Sequence, residues 1–156
     1  MQLRAHGPAD HSGLAELRWR FVVEHDGAAI ADREAFTERY RRHLAACDRE
    51  GKTVHWVAEH DDRLAAVMTL RTVAREPAPG DPFDAWGYLT NVYVIPEARN
   101  NGLGARLIAA VTAWAVEARL ELLIVWPSER SRPFYNRAGF RGIDDPLVLN
   151  LRSDAS

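Results

Sequence analysis

One stretch of this chain restricts the choice of fold more than any other. Trp86 to Ile95 is rich in aromatic and β-branched residues and reads as a central strand, which Pro96 ends. Pro96-Glu97-Ala98-Arg99-Asn100-Asn101-Gly102 follows as a loop, and Leu103 to about Arg119 reads as a helix. Leu103, Leu107, Val111, Trp114 and Ala118 recur at three and four along it and give one apolar stripe. The loop Arg99-Asn100-Asn101-Gly102-Leu103-Gly104 therefore lies between a strand and a helix start. Backbone N–H groups there lack intrahelical partners, and the helix dipole adds partial positive charge. Such a place suits a phosphate or pyrophosphate. Gly102 and Gly104 remove side chains that would keep phosphate oxygens from the backbone, and Arg99 adds a cation at the mouth.

Two familiar phosphate loops do not fit. A Walker loop needs Gly-Lys followed by Ser or Thr, whereas Gly104 is followed by Ala105-Arg106. The dinucleotide fingerprint needs a third glycine where Leu107 stands. By itself Gly-Leu-Gly also fits an ordinary tight turn, so the rest of the chain has to decide.

Residues 2 to 5 read as a short strand. A first helix carries Leu14, Leu17, Phe21 and Val22 on one face, and a second runs from Asp32 to about Asp48 with Phe36, Tyr40 and Leu44 four apart. Thr53 to Ala58 and Leu64 to Val73 are strands around the turn Asp61-Asp62-Arg63. Residues 75 to 84, with their prolines, are a loop. Leu122-Leu123-Ile124-Val125-Trp126 is a continuous apolar run, expected as a strand buried on both faces. A short helix from Pro127-Ser128 to about Arg137 ends at Ala138-Gly139-Phe140, and residues 146 to 151 read as a last strand. The expectation is one α/β (α+β mixed) domain over residues 1–156: a mixed sheet with helices on its faces.

The totals narrow the function. A formal net charge of −2 gives no basic excess for nucleic acid. No apolar run approaches the roughly 20 residues of a membrane span, and the first residues hold no apolar signal core. Cys47, the lone cysteine, excludes an intrachain disulfide and reads as a small apolar helix residue. A soluble, cytoplasmic protein is expected. His55 and His60 flank a strand without companion ligands, so no metal is expected.

Arg-x-x-Gly-x-Gly after Leu89-Thr90-Asn91-Val92-Tyr93-Val94-Ile95-Pro96 resembles motif A of the GNAT (GCN5-related N-acetyltransferase) superfamily. About 30 residues downstream, Ser131-Arg132-Pro133-Phe134-Tyr135-Asn136-Arg137-Ala138-Gly139-Phe140 is similar to that family's motif B. The match covers residues 86 to 142, and the order of elements agrees along nearly the whole chain. The resemblance implies the GNAT fold, a central mixed, mostly antiparallel sheet flanked by helices and splayed near Ile95 and Trp126, with acetyl-CoA as co-substrate in the gap. It implies that the backbone of Val92, Tyr93 and Val94 pairs with the pantetheine arm, a backbone N–H near Val92 polarising the thioester. It implies that Arg99, Asn100, Asn101, Gly102, Leu103, Gly104 and Ala105 hold the pyrophosphate. Ser128 stands where many relatives carry an Asn that contacts the cofactor, and Phe134 belongs with the cofactor set. Tyr135 is implied as the acid that protonates the departing thiolate; the alternative is a tyrosine that only packs beside Phe134.

Some relatives place a basic Glu where this chain has Tyr88, so that role does not carry over. Glu24, His25, Asp26 and Asp84 are left as candidates for the base. Trp114 and Trp126 are expected in core or pocket walls; Trp19 and Trp86 stand where relatives form the acceptor site, with buried packing as the alternative. The expected activity is N-acetyl transfer from acetyl-CoA to a primary amine, small molecule or peptide, by direct attack in a ternary complex. Transfer of another acyl group, or a non-catalytic acyl-CoA-binding protein on the same fold, are the alternatives. A homodimer is compatible with the sequence; nucleic acid and membrane are not expected as partners.

Overall fold

A computed structural model describes residues 2–27 and 32–142. The chain divides into two compact units, Met1–Trp126 and Pro127–Ser156. The first holds β1 (Gln2–Ala5), α1 (His11–Asp26), α2 (Arg33–Glu50), β2 (Thr53–His60), β3 (Arg63–Ala74), β4 (Ala85–Val94), α3 (Leu103–Glu117) and β5 (Leu123–Val125). The second holds α4 (Arg132–Arg137). The expected strand at 146–151 lies outside the described residues.

The five strands form one sheet in the order β1-β2-β3-β4-β5. Each neighbouring pair is antiparallel except β4 and β5, which run parallel. Local chemistry sets the boundaries. Asp32 caps α2 by accepting the N–H groups of Glu34 and Ala35 at 3.0 and 3.2 Å. Gly51, with φ at +70°, closes that helix in the left-handed conformation that glycine adopts without strain. Asp61 and Asp62 both have positive φ and make the tight β2–β3 turn.

Side-chain alternation divides the core between the two faces of the sheet. Leu14 and Leu17 of α1 and Leu44 of α2 pack with Val57, Val67 and Tyr93 on one face. On the other, Trp56 meets Trp114 of α3 edge to face at 6.5 Å. The buried stripe of α3 is Leu103, Leu107, Ile108, Val111 and Ala115. It is turned slightly from the expected one: Trp114 is half-buried and Ala118 exposed. Cys47 is buried on α2, as expected of a small apolar residue.

β5 differs from expectation. Its residues are half-buried, not covered on both faces, and Trp126 is 57% exposed. An apolar run marks low affinity for water, but it cannot say how many layers cover the strand. The short helix also starts later than expected, at Arg132, because Ser128–Ser131 first makes a turn.

Candidate active site

Two irregularities in β4 make the site. Its pairing with β3 shifts register between Val67 and Thr69: Thr90 faces Thr69 and Tyr93 faces Val67, so Asn91 and Val92 together oppose Met68. This is a β-bulge, and Asn91 takes φ of +48° within it, a conformation Asn tolerates better than most residues. On the other edge, β5 pairs with β4 only at Gly87, Tyr88 and Leu89. Among the described residues, Thr90–Val94 continues without a β5 partner. Pairing of β4 with β5 thus stops at Leu89, just before the bulge, as a splay there requires.

Gly87 explains why β5 can join there. A Cβ on it would lie 2.5 Å from Leu123 and 2.8 Å from Leu70. The missing side chain lets β5 close against β4 at the base of the splay.

The loop after β4 makes a 3₁₀ turn at Pro96–Ala98 and enters α3 through Asn100 and Gly102, with φ of +63° and +71°. The first intrahelical bond of α3 runs from Arg106 N–H to Gly102 C=O. The N–H groups of Leu103, Gly104 and Ala105 thus have no acceptor one turn back in the helix. Gly102 Cα faces open space, with nothing within 4 Å of the point a Cβ would occupy. Asn100, Asn101, Gly102 and Ala105 are exposed and Gly104 half-buried, while Leu103 is buried and anchors the helix start. This geometry fits a diphosphate held by backbone N–H groups.

Arg99 is more committed than expected. Its Nε donates to Val94 C=O at 2.9 Å, and its Nη2 pairs with Glu24 at 2.7 Å. Tyr93 Oη donates to the same carboxylate at 3.0 Å. Glu24 is held below the usual carboxylate range, chiefly by Arg99. That weakens Glu24 as a general base and makes it a tie between α1 and the loop. His25 Nδ1 lies 2.9 Å from Phe21 C=O. Val92 and Val94 are half-buried on the unpaired part of β4, while the Tyr93 side chain is buried in the core.

In the second unit, Tyr135 is buried between Phe134 and Phe140, ring centroids 5.0 and 5.5 Å away, both edge to face. Burial pushes its phenol up to about 12, so it is protonated at neutral pH. Ser128 Oγ accepts the Ser131 N–H at 3.3 Å and donates to Ser131 Oγ at 3.0 Å.

The sequence reading missed a polar network under the bulge. Asn91 Oδ1 accepts from Arg18 Nη1 at 3.3 Å, and its Nδ2 donates to Tyr40 Oη at 3.3 Å and Thr69 Oγ1 at 3.4 Å. Arginine only donates, which fixes the orientation of the Asn91 amide. Thr69 Oγ1 is 2.8 Å from Nδ1 of the buried His55. Also unforeseen, His6 and His11 contact the two oxygens of Asp48 at 2.9 and 2.8 Å. His6 Nδ1 accepts the His55 N–H at 3.3 Å, which assigns the proton to Nε2, facing Asp48. A metal bound at that Nε2 would displace this proton. No spacing rule could have found either group, since each member comes from a different element.

The chain matches the Acetyltransferase (GNAT) family over residues 14–140. It belongs to that family. It is 26% identical over 113 residues to a 5-NmdU N-acetyltransferase of Pseudomonas phage PaMx11, covering 71% of this chain and 75% of that one. It is 24% identical to an aminoglycoside N(6')-acetyltransferase type 1 of Acinetobacter genomosp. 13, covering 69% of this chain and 64% of the relative. Its fold is that of a predicted acetyltransferase with acetyl-CoA from Clostridium acetobutylicum, with TM-score 0.80, 24% identity and 96% of each chain covered. A GCN5-related N-acetyltransferase from Ralstonia eutropha JMP134 gives TM-score 0.74 at 24% identity, over 96% of this chain and 97% of that one. The GNAT chain thus has the mixed, mostly antiparallel open sheet its motifs imply. Among the described residues, no helix is long and apolar enough to cross a membrane.

Proposed function

We propose that this GNAT chain transfers the acetyl group of acetyl-CoA to a primary amine by direct attack in a ternary complex. One observation carries the reading: the Gly102 entry into α3 stands directly after a bulged strand whose far edge, among the described residues, has no strand partner past Leu89. The helix start suits the CoA diphosphate, and Val92, Tyr93 and Val94 offer backbone edge to the pantetheine arm. Asn100, Asn101, Gly102, Leu103, Gly104 and Ala105 hold the diphosphate. Arg99 acts mainly by fixing the loop through Glu24 and Val94. Ser128 and Phe134 complete the cofactor set.

The neutral amine attacks the thioester carbonyl, whose oxygen becomes an oxyanion met by the backbone N–H near Val92. Collapse breaks the C–S bond, and Tyr135 gives its proton to the thiolate. Bulk water takes the proton from the ammonium and returns one to the Tyr135 phenolate; Glu24, tied to Arg99 and Tyr93, is a poor base.

The test is calorimetric titration with CoA, followed by a thiol-release assay with acetyl-CoA and a panel of amines. A one-site isotherm and amine-dependent thiol release are expected. No binding at millimolar CoA refutes the reading; binding without release for any amine refutes the catalytic part.

A further inference from the structure

We infer that Arg18 and the hydroxyl of Tyr40 form an anion subsite beside the β4 bulge, and that the acceptor amine carries a carboxylate on the same short skeleton. The inference rests on the acyl-transfer reading and adds the substrate class.

The argument starts from where arginines find their charge partners. Partly buried guanidinium groups are normally matched by carboxylates. In this region that holds for Arg20, which pairs with Glu97 at 2.8 Å, and for Arg99, which pairs with Glu24. Arg18 is the exception. It is half-buried on α1, lies 4.9 Å over the Phe21 ring, and makes one long hydrogen bond, to an amide oxygen. Among the described residues no carboxylate lies within 4.0 Å of it. Among the described residues, the rest of its planar fork of donors has no acceptor.

Tyr40 adds a second donor. Its oxygen receives the Asn91 amide at 3.3 Å, while its own proton has no acceptor among the described residues. Burial raises the phenol to about 12, so that proton stays in place at neutral pH. Arg18 and Tyr40 come from different helices, and Asn91 holds both.

The location ties the anion to the reaction. Asn91 immediately precedes Val92, whose N–H is the proposed oxyanion donor, and both belong to the bulge. An anion on Arg18 is therefore set beside Asn91, the residue next to the proposed oxyanion donor. That adjacency suits one small molecule bearing both groups, an amino acid above all. A polycationic acceptor would set like charge against Arg18. Trp19, Phe36 and Tyr40 stand in contact, centroids 5.5 and 5.9 Å apart, and give the same region an apolar wall.

The experiment uses thiol release with acetyl-CoA and free amino acids. Each amino acid is paired with its amide and its decarboxylated amine, and an aminoglycoside is the polycationic arm. The native protein should prefer the carboxylate member in kcat/KM. Arg18→Gln should raise the acceptor KM roughly 10- to 100-fold, the worth of a charged hydrogen bond, and leave the acetyl-CoA KM unchanged. It should also erase the preference within each pair, which a merely supporting role for Arg18 would not do. Arg18→Lys, with the charge kept and the fork lost, should fall between and serves if the Gln variant misfolds. Equal or better use of amides or the aminoglycoside overturns the inference, as does an equal loss on both members of a pair. So does CoA binding with no amino acid acetylated. Failure to bind CoA removes the acyl-transfer reading itself and is seen separately by titration.

Discussion

Replacing His55 by asparagine isolates the cost of burying one imidazole. His55 is 1% exposed, and its Nδ1 is bonded to Thr69 Oγ1 at 2.8 Å. Burial is the main reason its pKa falls to about 4, and His6, His43 and His11 push the same way while Asp48 opposes them. The ordinary imidazole value is near 6.5, so the native state refuses a proton that the unfolded chain accepts. The unfolded state then binds more protons below pH 6.5, and stability must fall on acidification. This contribution is fully present above about pH 6.5 and is lost as the pH drops toward 4. The depression corresponds to about 3 kcal/mol at its limit, of which about 2 kcal/mol is lost by pH 5. Asparagine can keep the bond to Thr69 and does not titrate. Urea unfolding of both proteins at pH 7.5, 6.5, 5.5 and 5.0 measures the difference. Carboxylates held low by partners, such as Asp10 beside Arg4, titrate in both proteins and cancel. The stability gap should shift by about 2 kcal/mol in favour of the variant between pH 7.5 and 5.0. A gap that stays constant to within 0.5 kcal/mol, a bound set by roughly the error of such measurements, would refute the reasoning.

Gly102→Val should leave the circular dichroism spectrum native while weakening CoA binding by at least about tenfold, because it strains a φ of +71° and fills the space beside the helix start; calorimetry decides, and unchanged affinity would remove residues 99–104 from the diphosphate site. Tyr135→Phe should keep fold and CoA affinity and slow single-turnover acetyl transfer by roughly 10²- to 10⁴-fold. A variant within a factor of two of the parent would make Tyr135 a packing residue only. Gly87→Ala should cost about 1–3 kcal/mol in denaturant unfolding, since its methyl would meet Leu123 and Leu70 at 2.5 and 2.8 Å. A neutral effect would mean that β5 can shift freely at the base of the splay.

The strand, the proline stop and the glycine-bearing loop were legible because their causes are local. A strand needs β-branched and aromatic residues, a helix start needs freed N–H groups, and Gly102 supplies a positive φ at no steric cost. The apolar stripes of α1 and α2 were legible for the same reason, since helical period is written in spacing, and that of α3 to within a slight turn about its axis. The hairpin turn at Asp61-Asp62 also depends only on near neighbours. Only the tertiary structure could decide what lies across space. The exposure of β5 depends on how many layers cover it, which the apolar run Leu122–Val125 does not encode. The commitment of Arg99 to Glu24 joins residues 75 positions apart. Arg18 and Tyr40 meet Asn91 across 73 and 51 positions. Hydrogen bonds act over about 3 Å whatever the separation along the chain. No period or motif marks such partners in advance; the packing of α1 and α2 on the sheet brings them together at the bulge.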